Sequence, residues 1–184
     1  MVEYKNIAIR AIEKSDLPIL QDWRNNEDLR RYFREYREFS MLQKEDWYEK
    51  MIFDNRFEMF MVLDSAVRPI GAAGFTYIDW LNRHCDLHFY IGQEGAWIDK
   101  EYAPNVLELM LYRGFNFLNM NKIWAEIYEI DIHKKSFFQD AGFEVDACLR
   151  QHYYYNGKYY NSYILSLLKE DWSHEKGSDY RGTP

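Results

Sequence analysis

Asp86, His88 and Tyr90 alternate with Leu87, Phe89 and Ile91. This is the period-2 pattern of a strand with two different faces, and it puts a carboxylate, an imidazole and a phenol on one of them. A second alternating stretch runs from Ile123 to Glu129, with Trp124, Glu126 and Tyr128 on one side and Ile123, Ala125 and Ile127 on the other. If the two stretches are neighbours, Asp86, Glu126 and Tyr128 can face one cleft. A carboxylate there can act on an amine if burial or a water relay supports it. A solvated or hydrogen-bonded strand residue is the plainer reading of Asp86. A second cluster comprises Trp23-Arg24-Asn25 and the arginines Arg30, Arg31, Arg34 and Arg37, interleaved with Glu35 and Glu38. An arginine there can pair with a carboxylate or a phosphate; a solvated, salt-bridged helical face explains the same run. His84-Cys85-x-x-His88 invites a metal reading, which strand geometry argues against. Four rises of about 3.3 Å hold the two histidines about 13 Å apart, and Cys85 points the other way.

The elements that position these groups follow from the pattern around them. After the first strand comes a loop, Gly92 to Ala103, and Pro104 then opens a helix to about Asn119, with Leu107, Met110/Leu111, Gly114 and Leu118 as its buried stripe. Strand, helix, strand in this order predicts parallel neighbours, with the loop feeding a helix N-terminus at the carboxyl end of the first strand. Backbone amides and the helix dipole converge there, which suits a phosphate.

Tyr90-Ile91-Gly92, Phe115-Asn116-Phe117-Leu118 and Phe137-Phe138-Gln139-Asp140-Ala141-Gly142-Phe143, followed by Leu149-Arg150 and an aromatic hairpin, form an ordered series. This series resembles the GNAT N-acetyltransferase superfamily, in the branch of ribosomal-protein N-terminal and nucleotide-amino-sugar acetyltransferases. The resemblance extends over about Ile7 to Trp172. It implies an α/β fold: a mixed, largely antiparallel sheet splayed at its centre with helices on both faces. It implies acetyl-CoA as co-substrate, no metal, and direct transfer to a primary amine: a peptide N-terminus, an amino sugar or a small amine.

Residue by residue, the resemblance makes Asp86 the first candidate base and Glu126 the second, with Tyr128 beside them. The cofactor would lie along Ile91 and the loop Ile98, Asp99, Lys100, Glu101, Tyr102 and Ala103, with backbone amides on the first strand polarising the carbonyl. Lys134 is placed toward the cofactor phosphates. Trp23, Arg24, Arg31, Arg34 and His88 would meet the acceptor. The sequence departs from the family pattern at several of these positions. Ile98 stands at a polar position of the pyrophosphate loop, and Asp99 and Glu101 at glycine-like ones. Asp131 replaces an asparagine that contacts the pantetheine arm. Phe138 replaces the tyrosine that protonates the departing thiolate. These departures motivate an alternative: a non-catalytic binding module with a degenerate pyrophosphate loop.

The chain has 184 residues, a net charge of -7 and 47% apolar residues. That predicts one domain over residues 1–172 and a polar tail over 173–184. The acidic balance argues against nucleic acid and for a neutral or cationic acceptor. There is no signal-like segment and no apolar run of about 18 residues, so a cytoplasmic protein with no membrane partner, as monomer or homodimer, is expected. Cys85 and Cys148 read as buried free thiols in strands. Ser15 is expected to cap a helix through Asn25, and Ser40-x-x-Gln43 to cap another. Asn156-Gly157 joins two aromatic strands, Glu144 to Tyr155 and Lys158 to Leu168.

Overall fold

A computed structural model describes residues 1–172 and the backbone of 180–181. The chain runs β1 (Val2–Tyr4), β2 (Ile7–Ala11), α1 (Leu17–Asn25), α2 (Glu27–Arg30), α3 (Met41–Phe53), β3 (Glu58–Asp64), β4 (Pro69–Asp79) and β5 (His84–Ile91). It continues through α4 (Ala103–Tyr112), β6 (Lys122–Tyr128), α5 (Ile132–Asp140), β7 (Glu144–Tyr155), β8 (Lys158–Leu168) and β9 (Tyr180–Arg181). The strands form one sheet in the order β7-β8-β6-β5-β4-β3-β2-β1-β9. The expected polar tail falls outside the described residues, except that the backbone of Tyr180 and Arg181 pairs with Tyr4 and Glu3.

All described pairings are antiparallel but one. β5 and β6 pair in parallel only over His84–Asp86 and Lys122–Trp124. Beyond that point β5 stays with β4 and β6 stays with β8, so the sheet opens into a seam. This is the expected central splay. Helices cover both faces, and each face has its own core. Phe75, Phe89, Met110, Phe115 and Phe138 build the core under α4 and α5. Leu17, Leu20, Trp23, Leu29, Phe33 and Met61 build the core under α1 and α2. The apolar run of β3 is buried on both sides as a doubly covered strand must be, with Met61, Val62 and Leu63 fully enclosed.

Local signals explain most boundaries. Ser40 accepts from the Gln43 amide at 3.3 Å, and Gln43 Oε1 accepts from the Ser40 amide at 2.9 Å, completing the capping box of α3. Asn156 and Gly157 have φ of 46° and 78°, the positive values that a tight hairpin turn needs. Gly74 cannot carry a side chain, because a Cβ there would lie 2.1 Å from the Glu58 carbonyl oxygen.

Two expectations are corrected. Ser15 caps nothing; it lies inside a short 3-10 turn, Lys14–Asp16, whose cap is Glu13. Asp16 is instead held by Arg10, whose Nη1 and Nη2 donate to its two oxygens at 2.6 and 2.8 Å. Cys85 is buried, but Cys148 is exposed, because β7 is an edge strand.

Candidate active site

Asp86, His88, Glu126 and Tyr128 line one cavity of about 280 Å³ at the seam, as the two-strand pattern implies. Its other walls come from α1, α3 and the segment between α2 and α3, through Arg24, Lys44, Trp47, Phe33 and Arg34. Arg34 joins the two acids. Its Nη1 donates to Asp86 Oδ2 at 2.6 Å and its Nε to Glu126 Oε2 at 3.0 Å. Thr76 also donates to Asp86 Oδ2, at 2.8 Å. Thr76 sits where β4 breaks register, and Tyr77 beside it takes φ 51°. The irregularity turns Tyr77 toward Trp124, and the Arg34 guanidinium lies 5.5 and 5.7 Å from those two rings.

Burial sets the electrostatics. Asp86 is 2% exposed, and desolvation raises its carboxyl above the usual range against the pull of Arg34. Arg34 is desolvated too, yet Asp86 and Glu126 hold it firmly charged. Burial, and then Lys134, Arg34, Arg24 and Lys44, keep the His88 imidazole neutral. Tyr128 is pushed upward mainly by burial, and its ring stacks on Tyr153 at 3.9 Å.

The seam next to this cavity is filled by the chain itself. Trp97 pairs with Ile91 through both backbone bonds, at 2.8 and 2.9 Å. So the Ile91 amide, expected to polarise a substrate carbonyl, already donates to Trp97. The Trp97 indole donates to Asp131 Oδ2 at 2.7 Å and stacks on Tyr32 at 4.9 Å. Lys134 Nζ donates to the Phe89 carbonyl at 3.2 Å and lies 4.3 Å above the Trp97 ring. At the start of α4, Asp99 Oδ1 accepts from the Tyr102 and Ala103 amides at 2.7 and 2.8 Å. A carboxylate of this chain thus sits where backbone donors and dipole favour an anion.

Several expected roles change accordingly. Lys134 is buried in the seam and does not reach outward to phosphates; desolvation lowers it to about 8. Asp131 caps α5, accepting from the Lys134 amide at 3.1 Å. Phe138 is core, stacked on Phe89 at 5.9 Å. Ile98 packs between the two cores, while Lys100 and Glu101 point to solvent. Trp23 does not line the cavity, because its ring backs onto Gly92, where a Cβ would come within 2.2 Å of it. Arg31 faces Tyr32, and its carbonyl accepts from Tyr153 at 2.5 Å. Arg24, Arg34 and His88 do line the cavity.

Lys44, Thr76, Tyr77 and Trp97 were not singled out from sequence. For Lys44 a signal existed. It shares the inward stripe of α3 with Trp47, Tyr48 and Met51, where a lysine is out of place.

The acetyltransferase (GNAT) domain family matches residues 6–176. The chain belongs to that family. As a GNAT acetyltransferase it is similar to the spermidine N(1)-acetyltransferase of Vibrio cholerae, 24% identical over 90% of this chain and 95% of the other. The Escherichia coli K12 spermidine N(1)-acetyltransferase is 22% identical over 91% and 88%. A crystal structure of the Vibrio cholerae spermidine N-acetyltransferase with CoA and spermine superposes with a TM-score of 0.84, at 24% identity, over 90% of this chain and 97% of that one. A dodecameric structure of the Vibrio cholerae enzyme superposes at 0.79, with 21% identity, over 94% and 99%. These likenesses show the GNAT fold.

GNAT enzymes take the acetyl group from acetyl-CoA. At the start of α4 this chain presents backbone amides and a helix dipole, chemistry that suits a phosphate. Asp99 accepts from the Tyr102 and Ala103 amides there, and Trp97 accepts from the Ile91 amide. Among the described residues, no group of three or more His, Cys, Asp or Glu is arranged to hold a metal ion. No described helix is long and apolar enough to cross a membrane.

Proposed function

We propose that this GNAT acetyltransferase moves an acetyl group from acetyl-CoA to a small primary amine seated in the cavity, by direct attack. The observation that carries this reading is the pair of carboxylates, buried Asp86 and partly buried Glu126, bridged by Arg34 at the mouth of the seam. An alkylammonium has a pKa of about 10 and must lose a proton before it attacks. Asp86 is the base: Arg34 and Thr76 both bond its Oδ2, and Oδ1 receives the proton, directly or through water. Glu126 is the second acceptor. Its Oε1 is buried without a hydrogen bond, 3.6 Å from His152 Nε2. Direct attack is favoured because the buried thiol of Cys85 faces the core and burial pushes it upward, away from thiolate. The relatives' spermidine makes polyamines one acceptor class to test.

A second reading has its own observation. Asp99 on the α4 amides and Trp97 on Ile91 are what a binding module that has given up the donor would show. Calorimetric titration of acetyl-CoA, followed by thiol release in the presence of amines, separates the two. Micromolar binding with turnover supports the transferase; failure of acetyl-CoA and of CoA to bind overturns it.

A further inference from the structure

The cavity contains more cations than its acids can neutralise. Its carboxylates are Asp86, Glu126 and Glu35. Asp86 and Glu126 are both bound to Arg34. Glu35 is bound to Arg37 at 2.7 Å, outside the cavity. Lys134 has the Phe89 carbonyl and lies in the field of Asp131. Arg24 and Lys44 remain, both on the cavity wall.

Neither is balanced. Arg24 Nη2 donates to the Glu35 carbonyl, but its Nη1 is buried and has no hydrogen-bond partner. Its guanidinium lies 4.0 Å from the Phe33 ring centroid and 5.3 Å from that of Phe39. Lys44 is 8% exposed and forms no described hydrogen bond or ion pair; its Nζ sits 3.8 Å over the Trp47 ring. Burial first, and then Arg24, lowers Lys44 to about 8, so the two cations feel one another. A buried donor with no acceptor is costly, and Arg24 Nη1, with the unpaired Lys44 charge in its field, favours an anion in the cavity.

We infer that the acceptor carries an anionic group, a carboxylate or a phosphate, which Arg24 and Lys44 bind while its amine lies at Asp86 and Glu126. This rests on the acetyl-transfer reading and names its substrate class. A polyamine would instead set positive charge against Arg24 and Lys44.

The test compares four amines as acceptors in wild type and in Lys44→Met: β-alanine, O-phosphoethanolamine, ethanolamine and spermidine. Met keeps the length of the buried stem and removes its charge, so the fold should survive. Wild type should favour an anionic amine over ethanolamine, through KM. Lys44→Met should lose about tenfold or more of that preference, read as the ratio of kcat/KM for the anionic amine to that for ethanolamine. Whichever of β-alanine and O-phosphoethanolamine leads identifies the anion. Equal use of charged and neutral amines, or preference for spermidine, overturns the inference while leaving acetyl transfer standing. If none of the four amines is acetylated, acetyl-CoA titration decides the transfer reading, and a separate measurement decides the anion site. Inorganic phosphate and propionate are titrated calorimetrically into the protein alone. Binding of either that Lys44→Met abolishes supports the site; absence of binding, or binding unchanged in the variant, overturns it.

Discussion

Arg34 Nη1 lies 2.6 Å from Asp86 Oδ2, although the two residues come from opposite sides of the cavity: a loop over the acceptor end and a strand beneath it. The same guanidinium reaches Glu126, so one side chain controls both acids. Arg34→Met should leave buried Asp86 and partly buried Glu126 without a cation. Breaking a buried pair costs about 3–5 kcal/mol, and the 39% exposure of the Arg34 side chain brings this to about 2 kcal/mol. Chemical denaturation at pH 7 measures it. The loss should shrink as pH falls toward 4, because protonation removes the uncompensated charge.

Asp86→Asn should lower kcat by about a hundredfold or more and remove the corresponding limb of the pH–rate profile. Glu126→Gln should cost less. An unchanged profile in Asp86→Asn would exclude Asp86 as the base and move the role to Glu126 or the neutral His88.

Lys134 is lowered to about 8 from an ordinary 10.5, chiefly by burial. Below pH 8 both folded and unfolded chains hold this proton, and the burial penalty is fully present. Between pH 8 and 10.5 the folded chain releases it while the unfolded chain keeps it, so stability rises with pH. Lys44 acts in the same direction. Thermal unfolding between pH 7.5 and 10 should show the rise, worth at most about 3 kcal/mol for Lys134, and Lys134→Met should flatten it. A melting temperature that falls steadily over this range in wild type would contradict the buried placement.

Asp99→Ala should have two opposite effects. Loss of the two bonds that Asp99 accepts from the Tyr102 and Ala103 amides should cost about 1 kcal/mol of stability. The freed Tyr102 and Ala103 amides, with one negative charge removed, should bind acetyl-CoA several-fold more tightly in calorimetric titration. Weaker binding would mean that Asp99 itself supports the donor.

The strand–loop–helix–strand order was legible because periodicity reports faces; that Asp86 and Glu126 share a cleft was open, because periodicity does not say which face a cleft uses. The seam was legible through the family series ending at Phe143. The fates of the loop side chains were not. Trp97 takes φ 60° and Glu94 φ 54°, conformations that no residue type at these positions announces. Lys134 is expected at the cofactor phosphates but lies buried in the seam, because helical spacing cannot tell which side of α5 meets an open seam. Trp23 was read as part of a polar triplet, yet Gly92 leaves the space that draws its ring into the core.

A sheet that parts in its middle leaves strand edges that must be satisfied, and here Trp97 and Lys134 satisfy the edge of β5. An acyl-CoA that binds along this edge would exchange bonds where it would otherwise add them. Its measured affinity would then be its intrinsic affinity scaled by the fraction of molecules in which Trp97 has let go. Association should then be slow, and its observed rate should level off at high ligand concentration at the rate of that release.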